Sequence, residues 1–339
     1  MKSRRIYFVF VLFIMFMVVS NDAQASNKVK IATIGGGGAL VKAGENNDPQ
    51  NLVVQIIDYW KGELDKVLPY HPDLILLTEA CDRPGGLSTE EQFNYYKIRK
   101  NQVSDYFASV AKANHCYIAF GMKREENGGW RNLCVLLDRE GKVSGIYDKN
   151  FPTIDEMDQG IKAGNETPLL KCDFGTVGCA ICFDLNFDEL RQKYEVLKPD
   201  IMLFPSMYHG GLEQSKWAYS CRSFFVCSFG SLTAPSEIRN PLGEVVATST
   251  NYFNYAVATI NLDRILVHLD YNWEKLVELK KKYGDDVIIT DPGELGVVMI
   301  TSASSKVSAG DMVKKFNIEI VDDYFSRVRI HRTRQLNLN

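Results

Sequence analysis

Histidine is scarce in this chain: His71, His115, His209, His268 and His331 are scattered through 339 residues. None lies at a metal-ligand spacing from another histidine, a cysteine or a carboxylate, so the sequence offers no metal site. A Gly-x-Ser-x-Gly elbow is absent as well, which removes the serine hydrolases built on that turn. Basic residues are not in excess. The formal net charge is −3 and no basic cluster is interleaved with aromatics, which excludes a nucleic-acid groove. Internal repeats, low-complexity segments and proline-rich linkers are also missing. One longer apolar run exists, Ile6 to Val19, and its fourteen residues fall short of the roughly 20 that a spanning helix needs.

That run has a different meaning. Lys2, Arg4 and Arg5 precede it, and Ser20, Asn21, Asp22 and then Ala23-Gln24-Ala25 follow. A basic start, a short apolar core and a small-x-small site predict a signal peptide over residues 1–25, cut after Ala25. The expected product is secreted or periplasmic and keeps no stable membrane anchor. Cleavage would remove three basic residues and one acid, leaving the mature chain more acidic still.

An exported chain with an even number of cysteines invites a disulfide framework. Such frameworks serve mainly short chains that cannot build a core. Here several of the eight cysteines sit inside apolar runs such as "NLCVLLD" and "FFVCSFG", where a free thiol behaves as a small buried hydrophobe. The pair in "GCAICFDLNFDEL" (178–190) could suggest a thiol–disulfide oxidoreductase, but the helix such a motif needs is missing. "TVGCAI" reads as a strand running into Cys182. Three strand steps put the two Cα atoms about 10 Å apart, beyond disulfide reach, and on opposite faces. Cys179 is therefore expected in a packed layer, with Cys182 emerging at the strand end.

The rest of the chain alternates strands and helices. "KIATIG" (30–35) reads as a buried strand before four glycines. No GK[ST] follows them, so they predict a turn rather than a phosphate loop. Asp48-Pro49 supplies an N-cap and first-turn proline for a helix through Leu52, Ile56, Trp60 and Leu64. "DLILLTE" is a buried strand, followed by a second helix from Phe93 to Ala111 and the strand "YIAFGM". Two strands joined at Glu140-Gly141 end just before Lys149. Later strands are "DIMLFPS", "FFVCSFG", "GEVVATS" and "YAVATINL", with helices near 187–197 and 212–223. This order predicts an α/β sandwich with helices outside paired sheets. Residues 26–262 form the expected main domain. Residues 263–339 hold a charged helix, a strand and a basic tail, read as a C-terminal extension packed on it.

Glu79, Lys149 and Cys182 each stand where a strand gives way to a loop, a common position for reactive groups. A carboxylate could take the thiol proton, and an ammonium could favour both the thiolate and a developing oxyanion. On that basis Cys182 is expected to be alkylated quickly. Taken singly, each residue has a plainer explanation: a buried cysteine, a solvated lysine, a capping glutamate.

The three neighbourhoods in this order resemble the nitrilase (carbon–nitrogen hydrolase) superfamily. "DLILLTEA" is similar to its glutamate strand, "IYDKNFPTIDE" to its lysine motif, and "GTVGCAICFDLNFDEL" to its nucleophile motif. "KPDIMLFPSMY", "WAYSCRSFFVCSF" and "RNPLGEVVATS" resemble later family segments, so that the likeness spans about 28–262. It implies a four-layer αββα sandwich that pairs into a homodimer or higher homo-oligomer, without cofactor or metal. It also implies Glu79 as general base, Lys149 as oxyanion partner and Cys182 as nucleophile. Glu156 would orient the lysine, with Glu166 as the alternative, and the Phe183 N–H would join the oxyanion hole. Phe183-Asp184 is similar to the amidase branches, whereas nitrile hydrolysers usually carry Trp-Glu there. Asn186 replaces a usual arginine and Tyr208 a usual tryptophan, both at the expected pocket wall, so Tyr208 is a candidate substrate contact. The expected activity is hydrolysis of a small amide or carbamoyl compound through an acyl-thioester. A nitrile hydrolase and a catalytically silent binding protein of the same fold are the alternatives.

Overall fold

The structure is a computed structural model that describes residues 27–44, 48–126 and 128–337. The leader expected over residues 1–25 lies outside them.

The chain begins with β1 (Lys28–Ile34), α1 (Pro49–Val67), β2 (Leu74–Leu76), α2 (Thr89–Arg99), α3 (Gln102–Asn114) and β3 (Tyr117–Glu126). The hairpin β4 (Gly129–Leu137) and β5 (Val143–Asp148) follows, then the short α4 (Ile154–Asp158). The second half runs β6 (Leu170–Cys172), β7 (Gly175–Cys179), α5 (Asp188–Leu197), β8 (Ile201–Ser206), α6 (Leu212–Cys221) and β9 (Phe224–Phe229). β10 (Glu237–Arg239), β11 (Val245–Thr248) and β12 (Tyr255–Asn261) complete the main body.

Among the described residues these strands form two six-stranded sheets, ordered β12-β1-β2-β3-β4-β5 and β11-β10-β9-β8-β7-β6. Side-chain parity decides how they stack. On β3, Ile118 and Phe120 face α1 and α3, while Tyr117 and Ala119 face the other sheet. Val177 and Cys179 of β7 meet them in that inter-sheet layer, and Met202 and Phe204 of β8 pack outward beneath α5 and α6. The result is the four-layer αββα sandwich that the sequence predicts.

Strand direction then fixes where chemistry can gather. β1, β2 and β3 are parallel, as are β7, β8 and β9. β5 is antiparallel to β4, which is antiparallel to β3, so β5 points the same way as β2. The segments leaving β2, β5, β7 and β8 carry Glu79, Lys149, Cys182 and Tyr208 respectively, and the carboxyl ends of strands are where open α/β sheets place ligands.

Two expectations are corrected. The single helix predicted from Phe93 to Ala111 is two, because Lys100 adopts φ 47° and breaks it before α3 starts. The strand predicted to reach Cys182 ends at Cys179, and Cys182 opens a 3-10 turn.

The extension from residue 263 has its own sheet, β13 (Arg264–His268), β14 (Val287–Thr290) and β15 (Val297–Ser302), ordered β13-β15-β14. Helices α7 (Trp273–Tyr283), α8 (Ala309–Lys315) and α9 (Val321–Leu336) accompany it. The basic tail read from sequence is thus a helix. Leu276, Leu279, Val298, Ile300 and Met312 form a separate small core. Asp322 ties the extension to the body by pairing with Arg222 at 3.1 Å and with Lys198.

Candidate active site

The inter-sheet parity that packs the core also aims the polar residues. Asn132 lies two residues before Cys134 on β4, and Lys149 two after Tyr147 on β5. Both Cys134 and Tyr147 belong to the inter-sheet layer, so Asn132 and Lys149 point into the gap at its open end. Glu79 enters from the end of β2, its backbone held close to β3. Gly121 makes that approach possible: a Cβ there would lie 2.5 Å from Glu79 Cα and 2.8 Å from Ala80 N.

The side chains converge. Lys149 is buried to 2 % exposure, and its Nζ donates to Glu79 Oε1 at 2.8 Å and to Glu156 Oε2 at 2.7 Å. Asn132 Nδ2 donates to Glu79 Oε1 and to Glu156 Oε1, both at 2.8 Å. The backbone N–H of Met207 donates to Glu79 Oε2 at 3.1 Å. Across the gap the Cys182 thiol lies close enough to the Glu79 carboxylate for that charge to act on it.

Electrostatics follow from burial and pairing. Desolvation works against the Lys149 charge, but Glu79 and Glu156 outweigh it and hold the ammonium above the ordinary lysine range. Glu156 would be raised by burial, yet Lys149 brings it down to about 2. The Cys182 thiol is pushed up to about 12, first by burial and then by the Glu79 charge, against a smaller opposite pull from Lys149. This corrects the expectation of a resting thiolate. The carboxylate outweighs the ammonium in its effect, so burial and Glu79 together favour the protonated thiol. Glu79→Gln is therefore expected to speed iodoacetamide labelling of Cys182 at neutral pH, by about tenfold for each unit its pKa falls. Labelling followed by peptide mass spectrometry checks this, and a slower label would show that Glu79 already holds the thiol proton at rest.

Local backbone explains how Cys182 is presented. It has φ 49°, a left-handed conformation uncommon for a residue with a side chain, and Ala80 after Glu79 has φ 42°. The turn beyond Cys182 is pinned by Asp184. Its carboxylate accepts from Tyr147 Oη at 2.8 Å, from Ile181 N at 2.8 Å and from Phe151 N at 2.7 Å. These bonds join the Cys182 turn to the loop after Lys149.

The remaining candidates fall as follows. Glu156, rather than the exposed Glu166, reaches Lys149. It sits at the third position of α4 in a capping box with Thr153, whose N–H donates to Glu156 Oε2 at 3.0 Å. Phe183 is the second residue of the 3-10 turn, so its N–H has no partner within the turn. Its ring is 38 % exposed and packs edge-on against Phe187. The buried Tyr208 hydroxyl lies near Cys182 and Asn186. Asn132 and Asp184 were not assigned roles from sequence. The signal for Asn132 was a polar residue at an inward position of the strand "RNLCVLL". All eight cysteines are free, with Cys179 buried against Cys134.

The fold and the convergence of these groups frame the comparison with known proteins. Residues 39–265 match the model of the family described as carbon-nitrogen hydrolase. The chain belongs to that family. It is a hydrolase acting on carbon–nitrogen bonds other than peptide bonds. Nitrilase homolog 2 of Dictyostelium discoideum is 21 % identical over 232 residues, 64 % of this chain and 70 % of that protein. The human omega-amidase NIT2 is 23 % identical over 222 residues, 62 % of this chain and 80 % of its own. Among solved structures, an amidase from Nesterenkonia sp. superposes with a TM-score of 0.58 at 14 % identity, covering 75 % of this chain and 96 % of that one. Saccharomyces cerevisiae Nit3 gives 0.57 at 16 % identity, covering 69 % and 90 %. At such identities the structural likeness speaks for the fold.

Proposed function

We propose that this family member is an exported thiol amidase that hydrolyses a small, non-peptide amide or carbamoyl compound through an acyl-thioester on Cys182. The observation that carries this reading is the convergence of Glu79, Lys149 and the Cys182 thiol, with Glu79 accepting from the Lys149 ammonium at 2.8 Å and its charge bearing on the thiol. Glu79 takes the thiol proton as sulfur attacks the carbonyl carbon. The oxyanion that forms meets the Lys149 ammonium, which has three donors and commits two of them to Glu79 and Glu156. The Phe183 N–H is the second donor, and one such contact is worth about 3–4 kcal/mol in the transition state. Glu79 then hands its proton to the departing amine as the C–N bond breaks. In the second half, it draws a proton from water, which attacks the thioester, and returns that proton to sulfur as the acid leaves.

The described residues offer a base, a nucleophile and an oxyanion partner with no group left to recruit, which disfavours a silent binding protein. Asp184 uses both carboxylate oxygens in three bonds that shape the turn, so its part is to hold Cys182 in place rather than to break bonds. Supported by the Phe183-Asp184 pair, amides and carbamoyl compounds are expected to exceed matched nitriles in kcat/KM. A panel of amides, carbamoyl compounds and nitriles assayed for released ammonia or amine tests both points. Faster turnover of nitriles would reverse the preference, and no turnover of any member would favour the binding protein. Export rests on the leader read from sequence, and a mature N-terminus at Ser26 found by mass spectrometry would support it. The paired assembly implied by the resemblance is tested by sedimentation.

A further inference from the structure

Beside the site lie two cations that the proposed reaction does not use. Lys123 sits on β3 directly opposite Asn132 of β4, four residues beyond Ala119 and so on the same inter-sheet face. Its side chain is 7 % exposed, yet its one ion pair, to Glu156 Oε1, is 3.6 Å long. That exceeds hydrogen-bond distance, and Lys123 Nζ donates no hydrogen bond to the described residues. Glu156 is held away from it by bonds to Lys149 and the Thr153 N–H on Oε2 and to Asn132 on Oε1. A nearly buried ammonium without a hydrogen bond is a costly arrangement unless something else completes it.

Arg83 is the second cation. It follows Asp82, whose carboxylate pairs with Arg99, and Arg99 Nη2 donates to the Lys123 carbonyl at 2.7 Å. The Arg83 N–H closes the turn after Glu79 by donating to Ala80 O at 3.0 Å, and the Cys81 N–H donates to Gly121 O at 2.9 Å. That fixes the turn against β3 two residues before Lys123, within range for the two cations to act on one another. Arg83 is half-buried, and its guanidinium makes neither an ion pair nor a hydrogen bond with the described residues. Arg99 and Asp82 cancel one another. What remains is Lys149, Lys123 and Arg83 against Glu79 and Glu156, one positive charge too many while the thiol is protonated.

We infer that Lys123 and Arg83 form an anion subsite, and that the substrate carries a carboxylate or similar anionic group which docks there. The inference rests on the amidase reading and adds the substrate's charge to it. Lys149 and Lys123 share the Glu156 carboxylate, so an anion on Lys123 lies only a short carbon chain from a carbonyl held at Lys149. Arg83 suits the task because its planar fork matches a carboxylate in two-point contact.

Two matched pairs test this: glutaramate against valeramide for charge on the acyl side, and N-acetyl-β-alanine against N-propylacetamide for charge on the amine side. The anionic member of at least one pair is expected to win by about 100-fold in kcat/KM, mostly through KM. Arg83→Gln should remove most of that preference and leave the neutral amide unchanged. Lys123→Met should remove it too, with recovery in Lys123→Arg. Equal rates within both pairs would overturn the subsite and leave the amidase reading standing. A Lys123→Met loss falling equally on kcat for charged and neutral amides would also overturn it, because Lys123 would then merely position Glu156. Binding separates this inference from the reaction. Glutarate or β-alanine should raise the melting temperature of the Cys182→Ala protein, and the added Arg83→Gln change should abolish that rise. No rise with either acid, alongside equal rates, would sink the proposal even if amides are hydrolysed.

Discussion

Cys182→Ala is expected to abolish amide hydrolysis, with kcat down by at least ~10⁴-fold, while the protein stays folded. The covalent route has no substitute at this position. The other seven cysteines are free thiols packed elsewhere, and Cys179, three residues away, is buried against Cys134 in the inter-sheet layer. Water attacking directly would keep Glu79 and Lys149 but lose the thioester that divides one difficult step into two. The fold should tolerate the change. Alanine retains the Cβ, so the left-handed backbone at φ 49° is no more strained than before, and the Asp184 bonds that shape the turn involve no Cys182 atom. Cys182→Gly would relax that backbone and is expected to melt no lower than Cys182→Ala. Ammonia release from the preferred amide, with melting curves for both variants, checks the pair of statements. Turnover within tenfold of wild type in Cys182→Ala would show that the thiol is not the nucleophile.

The sheets were legible because apolar runs such as "DIMLFPS" and "FFVCSFG" are too continuous for one-sided strands and had to be buried on both faces. The turn after Cys182 was not. Nothing in "TVGCAICFDL" marks the residue where the strand stops, because the stop is made by a distant partner. Asp184 reaches Tyr147 and the Phe151 N–H, contacts 37 and 33 residues away in the chain. Lys100 is a similar case, a good helix former placed at a break that no local residue announces. The trio Glu79, Lys149 and Cys182 could be ranked above other combinations only through the family resemblance, since spacing of 70 and 33 residues carries no geometric information by itself. Lys123 and Asn132 were readable in principle. Each is a polar residue at an inward position of a strand whose neighbours at that parity are apolar. Strand parity could mark them as inward, but only the paired sheets show that this inward face opens onto Glu79, Lys149 and Glu156.

Lys149→Met should be the other severe change, for both stability and catalysis. In the native site one ammonium lies between two carboxylates, at 2.8 Å from Glu79 and 2.7 Å from Glu156, all three at most 14 % exposed. Removing one partner from a buried ionic cluster typically costs about 3–5 kcal/mol, because the remaining charges stay desolvated. Activity should fall by about 10²–10³-fold or more through the lost oxyanion donor. Lys149→Arg should recover little, since a planar fork cannot reproduce a compact ammonium aimed at three acceptors. The pH dependence gives a sharper test. In the wild type Glu156 is depressed from 4.5 to about 2, so its contribution to stability is complete above pH 4.5 and is lost as pH falls towards 2. In Lys149→Met, Glu156 loses the ammonium that lowers it, so burial and the facing Glu79 carboxylate, opposed by Lys123 and the more distant Arg83, raise it above its ordinary value. A carboxyl raised in the folded state stabilises more when protonated, so the sign reverses. The variant should regain part of its lost melting temperature as pH drops from 8 to 5, where the wild type gains nothing from Glu156. Calorimetry at both pH values decides the matter. A melting-temperature deficit of the same size at pH 5 and pH 8 would show that the two glutamates do not need the lysine to coexist, and would remove the electrostatic basis assigned to Lys149.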